Sequence, residues 1–318
     1  MSPPASENGK PAGTTSWGRS VTELGSEMRS YYGRPVIKEP VWKPEIPCYL
    51  FTGGLGGASS VLGLLARRRG NDRLADGALW ISLAADTASP LLLISDLGRP
   101  ERFHHMLRMF KITSPMNVGS WILTFSGTAT GVAAGAHVLG LRRLRDAAEH
   151  VSGLLGAPLA SYTGVLLADT AIPAWHEARF ELPLVFASSG AASAGAAAAI
   201  AVPDAAGPAR RIAVAGALAQ NVSMQVMQHR LGPLGEPYGQ GAAGRFDKLA
   251  KGLSLAGAAV LGLAGRRRAG AAIGGGLVLA GEACLRWSVF KAGFQSARDP
   301  RYTVEPQRER ANRERSGV

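Results

Sequence analysis

Four long windows of this chain carry no Asp, Glu, Lys or Arg: Ile46 to Ala66, Ile112 to Leu141, Val151 to Ala168 and Leu182 to Pro203. A hydrocarbon core about 30 Å thick takes about 20 apolar residues at 1.5 Å each, so such windows read as transmembrane helices. Several in one chain are rare among water-soluble proteins, which makes a soluble helical bundle the poorer reading. A transmembrane barrel needs alternating residues, and no period of two is present. The mean hydropathy of +0.06 hides the pattern because the windows are built from Ala, Gly, Ser and Thr. Small residues let helices approach closely in lipid, where packing drives association. The expected fold class is an all-α polytopic membrane bundle of about eight helices.

The spans are expected at 46–66, 75–97, 115–140, 151–170, 182–202, 210–229, 249–265 and 269–290, making 46–290 one transmembrane domain. Residues 1–30 are polar and rich in Ser, Gly and Pro, and read as a disordered tail without the charged start and apolar core of a signal peptide. Residues 31–45 hold Pro35, Pro40 and Pro44 with Trp42, which suits an extended interfacial segment. Residues 291–318 form a basic C-terminal tail. Between spans two and three, Phe103, Met106, Leu107 and Phe110 recur at the spacing of one helix face, opposite Arg102, His105, Arg108 and Lys111. That pattern predicts a short interfacial helix. Ser114-Pro115 reads as an N-cap followed by proline at the first helical position of span three.

The net charge of +12 does not point to nucleic acid, because the arginines punctuate apolar helices. Arg67, Arg68, Arg69 and Arg73, then Arg142, Arg143 and Arg145, then Arg210 and Arg211, then Arg266 to Arg268 follow the odd-numbered spans. Compact basic loops of this kind are expected in the cytoplasm, although the Arg-rich C-terminus argues for the reverse orientation. The two cysteines, Cys48 and Cys284, lie in expected spans and are too few for an iron–sulfur cluster. Among the six histidines only His137 falls within a long span, so no haem and no metal site is expected.

Ionisable groups within membrane helices are costly and become functional candidates by default. Asp86 lies mid-way along span two and Glu282 within span eight. Span six carries Gln220, Asn221, Gln225 and Gln228, a stripe that either lines a hydrated path or bonds neighbouring helices. Asp86 is weighed as a proton-transfer or ligand group against a plain partner inside the bundle. Arg99, directly after span two in Asp96-Leu97-Gly98-Arg99-Pro100-Glu101-Arg102-Phe103, suits hydrogen bonding to a quinone oxygen, lipid-phosphate anchoring or pairing with Asp96. The residues alone do not choose among these.

That segment is also where the chain resembles a known family. It is similar to the NrfD/PsrC membrane subunits of polysulfide reductase and related complexes, with traits of actinobacterial members. Further support comes from Pro47-Cys48-Tyr49-Leu50-Phe51-Thr52-Gly53-Gly54-Leu55, from Ser114-Pro115-Met116 with Gly119-Ser120-Trp121, from Tyr162-Thr163-Gly164-Val165-Leu166-Leu167, and from Pro173, Trp175 and Leu182-Pro183 with Phe186. The motifs cover residues 31–200, and beyond them the likeness is one of hydropathy. The resemblance implies a subunit of the bacterial cytoplasmic membrane that binds menaquinone or ubiquinone. It implies electron exchange with an iron–sulfur subunit, which serves a molybdopterin catalytic subunit in a respiratory chain. It carries over Tyr49, Arg99 and Tyr162 as quinone-binding residues, with Glu45, Asp96 and His104 at the same face to exchange protons. Asp86, Gln225 and Glu282 are the candidates for a deeper proton path. The competing expectations are a secondary transporter using intramembrane carboxylates, which the lack of an internal repeat disfavours, and a passive membrane anchor.

Overall fold

The computed structural model describes residues 36–316, which leaves the expected N-terminal tail outside the described residues. Eight helices of 20 residues or more succeed one another among the described residues, with no strand. They are α1 (Glu45–Arg68), α2 (Asp72–Asp96), α3 (Pro115–Val138), α4 (Arg142–Ala168), α5 (Leu182–Ala201), α6 (Gly207–Leu231), α7 (Gly241–Ala264) and α8 (Arg268–Arg298). A further helix, α9 (Arg301–Ser316), is mostly polar. By length and composition five of them, α1, α2, α4, α5 and α8, are apolar enough to cross a membrane. Helices α3, α6 and α7 are of similar length and are not among those five.

Short turns join the helices into four antiparallel hairpins, and α1 packs at the centre against α2, α4 and α5. Arg69-Gly70 closes the first hairpin and Leu139-Gly140 the second, each glycine at positive φ (72° and 71°) where a side chain would be strained. Asn71 caps α2 by accepting from the Leu74 amide, and Ser114 caps α3 by accepting from the Asn117 amide, with Pro115 first in the helix as its sequence predicts. Where α1 crosses α4, a Cβ on Gly57 would lie 2.5 Å from the Gly156 carbonyl oxygen, so only glycine permits this approach.

The surfaces are inverted relative to a soluble bundle. Leu91, Phe125, Leu154, Leu184, Val222, Leu263 and Ile273 are exposed, whereas Ser59, Ser82, Ser126, Thr130, Ser189 and Ser288 are buried. Outward apolar faces with small polar groups inside are what lipid demands, and the chain is a membrane protein.

The basic turns gather at one end. There Arg67 binds Glu149 at 2.8 Å, Asp76 at 2.6 Å and Asp72 at 2.8 Å, tying α1, α2 and α4 together. At the opposite end residues 36–43 run without regular structure across the helix tips. Trp42 stacks on Trp175, 5.5 Å between centroids. Trp175 is fully buried in a one-turn helix (Pro173–His176) and donates from Nε1 to the Val289 carbonyl at 2.8 Å.

Several boundaries differ from expectation. Helix α4 begins nine residues before position 151 because Arg145 and Glu149 are partnered at the basic end, so charge does not halt the helix there. Helix α7 begins at Gly241 rather than 249, and α8 runs to Arg298 rather than 290. The expected basic tail is thus largely helical, α9 included. The segment after α2 is a 3-10 helix over Pro100–Leu107 with no buried residue, and Phe110 lies beyond its end.

Candidate functional site

A cavity of about 310 Å³ lies between α2, the 3-10 helix and α3. Leu83, Asp86, Thr87, Pro90 and Ile94 supply the α2 wall at helical spacing, and Ser120, Leu123, Thr124 and Gly127 the α3 wall. Phe103, Met106 and Leu107 of the 3-10 helix form its mouth. The volume falls at the lower end of the roughly 300–1,000 Å³ of small-molecule sites, and walls with few polar groups suit a flat apolar ring.

Asp86 is the one ionisable group among these lining residues, only 5% exposed. Its Oδ2 accepts from Thr130 at 3.0 Å and Ser82 at 3.3 Å, while Oδ1 has no partner. Space for the carboxylate comes from Gly56 on α1, where a Cβ would overlap Oδ1. Pro90 lies four residues on and has no N–H, so the Asp86 carbonyl lacks its ordinary helical donor. Thr87, Ser120 and Thr124 already donate to the carbonyls of Leu83, Met116 and Ser120. A hydroxyl that has spent its hydrogen presents acceptor lone pairs. These three hydroxyls therefore present acceptors to a ligand, and Thr128 adds a fourth lining hydroxyl that can donate or accept.

The mouth is positioned by Asn117, which sequence reasoning missed. Its Nδ2 donates to the carbonyls of Met106 (2.7 Å) and Met109 (3.0 Å), and its Oδ1 accepts from the Lys111 amide (2.7 Å). Trp121 adds a bond from Nε1 to the Met109 carbonyl at 3.2 Å. An Asn in the first turn of a helix gave no hint in sequence that it would stitch the preceding loop to that helix.

The predicted residues are dispersed. Tyr49 (1% exposed) and Tyr162 (6%) lie buried on α1 and α4, with Tyr162 filling the space left by Gly119. They are not among the residues that line the cavity. Arg99 is exposed and immediately precedes the 3-10 helix, and exposed His104 stacks edge-on with His105, 4.4 Å between centroids. Asp96 accepts from the Lys43 amide at 2.9 Å, and Glu45 at the start of α1 has one buried oxygen unpartnered.

Glu282 is fully buried on α8 with both oxygens outside hydrogen-bond geometry. Arg286, one turn on, donates to the carbonyls of Leu50 and Phe186, each at 3.2 Å, and stacks on the Phe186 ring. Gln225 is exposed, whereas Asn221 donates to Ser254 at 2.9 Å and Gln228 contacts Asp247 at 3.3 Å on α7. The span-six stripe is thus split: its inner members bond a neighbouring helix, and no hydrogen bond among the described residues joins Gln225 to Asp86 or Glu282.

The NrfD_2 family model, described as polysulfide reductase, matches residues 28–299. The chain belongs to the polysulfide reductase NrfD family. No curated protein matches it. The match extends beyond the motifs of residues 31–200 and covers all eight long helices of this NrfD-family protein. Family membership, outward apolar faces and five strongly apolar helices agree on a membrane subunit of a redox complex.

Proposed function

We propose that this NrfD-family protein spans the bacterial cytoplasmic membrane with all eight long helices and oxidises quinol in the α2–α3 cavity. In this reading electrons pass to an iron–sulfur subunit docked at the end bearing the 3-10 helix, and a molybdopterin subunit lies beyond it. The observation that carries the reading is a ring-sized apolar cavity at the expected end, with one buried carboxylate in its wall whose Oδ1 has no hydrogen-bond partner. Quinol supplies a two-electron couple whose hydroxyl protons must leave as it is oxidised.

Leu93, Ile94, Phe103 and Leu123 would hold the ring and exclude water. Acceptor oxygens on Thr87, Ser120 and Thr124 would accept from its hydroxyls and orient them, which suits quinol as the molecule that enters the site. Asp86, with Oδ2 held by Thr130 and Ser82 and Oδ1 packed against Gly56, would accept one of the two quinol protons once its side chain turns toward the cavity, the other leaving to water at the mouth. Tyr49 and Tyr162 are buried and do not line the cavity, so they are assigned to the packing around the site rather than to the ring. Arg99, at the exposed lead-in to the mouth, would bias the approach of the partner or the ring.

The test is Asp86→Asn in the purified complex. Quinol-dependent electron transfer should drop about 100-fold, as for loss of a general base, while co-purifying quinone is retained. Unchanged turnover would remove Asp86 from the mechanism, and a complex free of quinone with full turnover from other donors would favour a passive anchor.

A further inference from the structure

A second concavity, about 1030 Å³, runs down the outside of the bundle at its basic end between α2, the α5–α6 loop and the start of α8. Trp80, Ala84 and Ala272 make an apolar wall, and Arg73 and Arg268 stand at its mouth. Seven residues of helix separate Arg73 from Trp80, about 10 Å along α2. That is a suitable spacing from a lipid phosphate to the first part of an acyl chain.

The mouth is built rather than incidental. Asn71 Nδ2 donates to the Ala205 carbonyl at 3.0 Å, and Arg210 Nη1 donates to the carbonyls of Pro203 and Gly265, each at 3.1 Å. The 202–206 loop is thereby fixed to both neighbouring hairpins. Gly77 lets Val202 seat against α2, since a Cβ there would come within 3.1 Å of it.

Charge identifies the occupant. Two acids reach the crevice, but Asp76 is engaged by Arg67 at 2.6 Å, and Asp204 lies 3.5 Å from Arg268 with both largely exposed. Arg73 has no ion-pair partner among the described residues, and exposed Arg69, Arg211, Arg266 and Arg267 around the same end have none either. The start of α8 adds the positive end of a 31-residue helix dipole. The local excess is positive.

We propose that this crevice retains an anionic glycerophospholipid of the surrounding bilayer, with its phosphate between Arg73 and Arg268 and an acyl chain along Trp80, Ala84 and Ala272. The proposal rests on the bundle being embedded in lipid and is independent of quinol binding. It is tested on the full-length protein in nanodiscs doped with brominated phosphatidylglycerol or brominated phosphatidylcholine. The quenching due to Trp80, taken as the difference between wild type and Trp80→Phe, should show about a tenfold preference for phosphatidylglycerol. Arg73→Gln with Arg268→Gln should abolish the preference, and Arg142→Gln with Arg143→Gln at the same end should keep it. Equal quenching by the two lipids means ordinary boundary lipid only and overturns the proposal. So does a preference that survives the first pair of substitutions or falls equally with the second. Should the first pair fail to fold, the comparison of lipids on the unaltered crevice decides the matter.

Discussion

At the residue scale the site depends on Asp86 and on what its neighbours lack. Gly56 has no Cβ to meet the carboxylate, Pro90 has no N–H to occupy the adjacent carbonyl, and Thr87, Ser120 and Thr124 have no hydrogen left to donate. Gly56→Ala would push the carboxylate toward the cavity or twist α2. It should cost about 1–3 kcal/mol by overpacking and lower quinol-dependent electron transfer more than it lowers thermal stability. Parallel activity and melting measurements check this, and a variant with wild-type turnover would show that the carboxylate position is not critical. Asp86 was recognisable in sequence from its depth in a span. Its unpartnered oxygen was not, because it depends on Ser82 and Thr130 choosing the other one.

At the scale of elements, helix existence was plain in the sequence and helix ends were not. Leu182–Ala201 begins at the expected residue because a charge-free window and a proline at its start coincide. The start of α4 was missed because Glu149 is buried against Arg67 of another helix, a pairing no local pattern announces. The mouth segment was read as an amphipathic α-helix, yet Pro100–Leu107 winds as a 3-10 helix whose following residues are held by Asn117. The segment before α1 offers a test of its own. Arg298 donates two bonds to Glu39, and this holds the Glu39 carboxyl below the usual carboxylate range. Its small stabilising contribution is present above the ordinary pKa of a free Glu and disappears as pH falls through the lowered folded value. Melting curves of Glu39→Gln and wild type should therefore differ slightly at neutral pH and converge in acid. A difference that widens in acid would contradict the assignment.

For the whole molecule, the interior is organised around α1, whose successive glycines face different neighbours. Gly54 opens toward Arg286 and α5, Gly56 toward Asp86, and Gly57 toward α4. Arg286 is buried in this centre, joining α8 to the carbonyls of α1 and α5 beside the buried Glu282. Arg286→Met would remove the donor that bridges the α1 and α5 carbonyls and leave a buried carboxylate without its nearest cation. The expected loss is about 3–5 kcal/mol, read as lower yield of folded protein and a lower melting temperature in detergent. Glu282→Gln combined with Arg286→Met should recover part of it. If the single variant were as stable as wild type, Arg286 would have no structural role, and its burial would need a functional explanation.

The sequence by itself determined the all-helical membrane class and the clustering of arginines in the turns of one end. Those follow from hydropathy over windows long enough to cross a bilayer and need no knowledge of neighbours. Only the tertiary structure decided that Tyr49 and Tyr162 lie buried away from the cavity, that Asp86 lines it, and that Gln225 turns outward while Asn221 bonds α7. A small-residue helix has little amphipathic contrast, so the direction a side chain takes is set by which partner helix approaches closely enough to receive it.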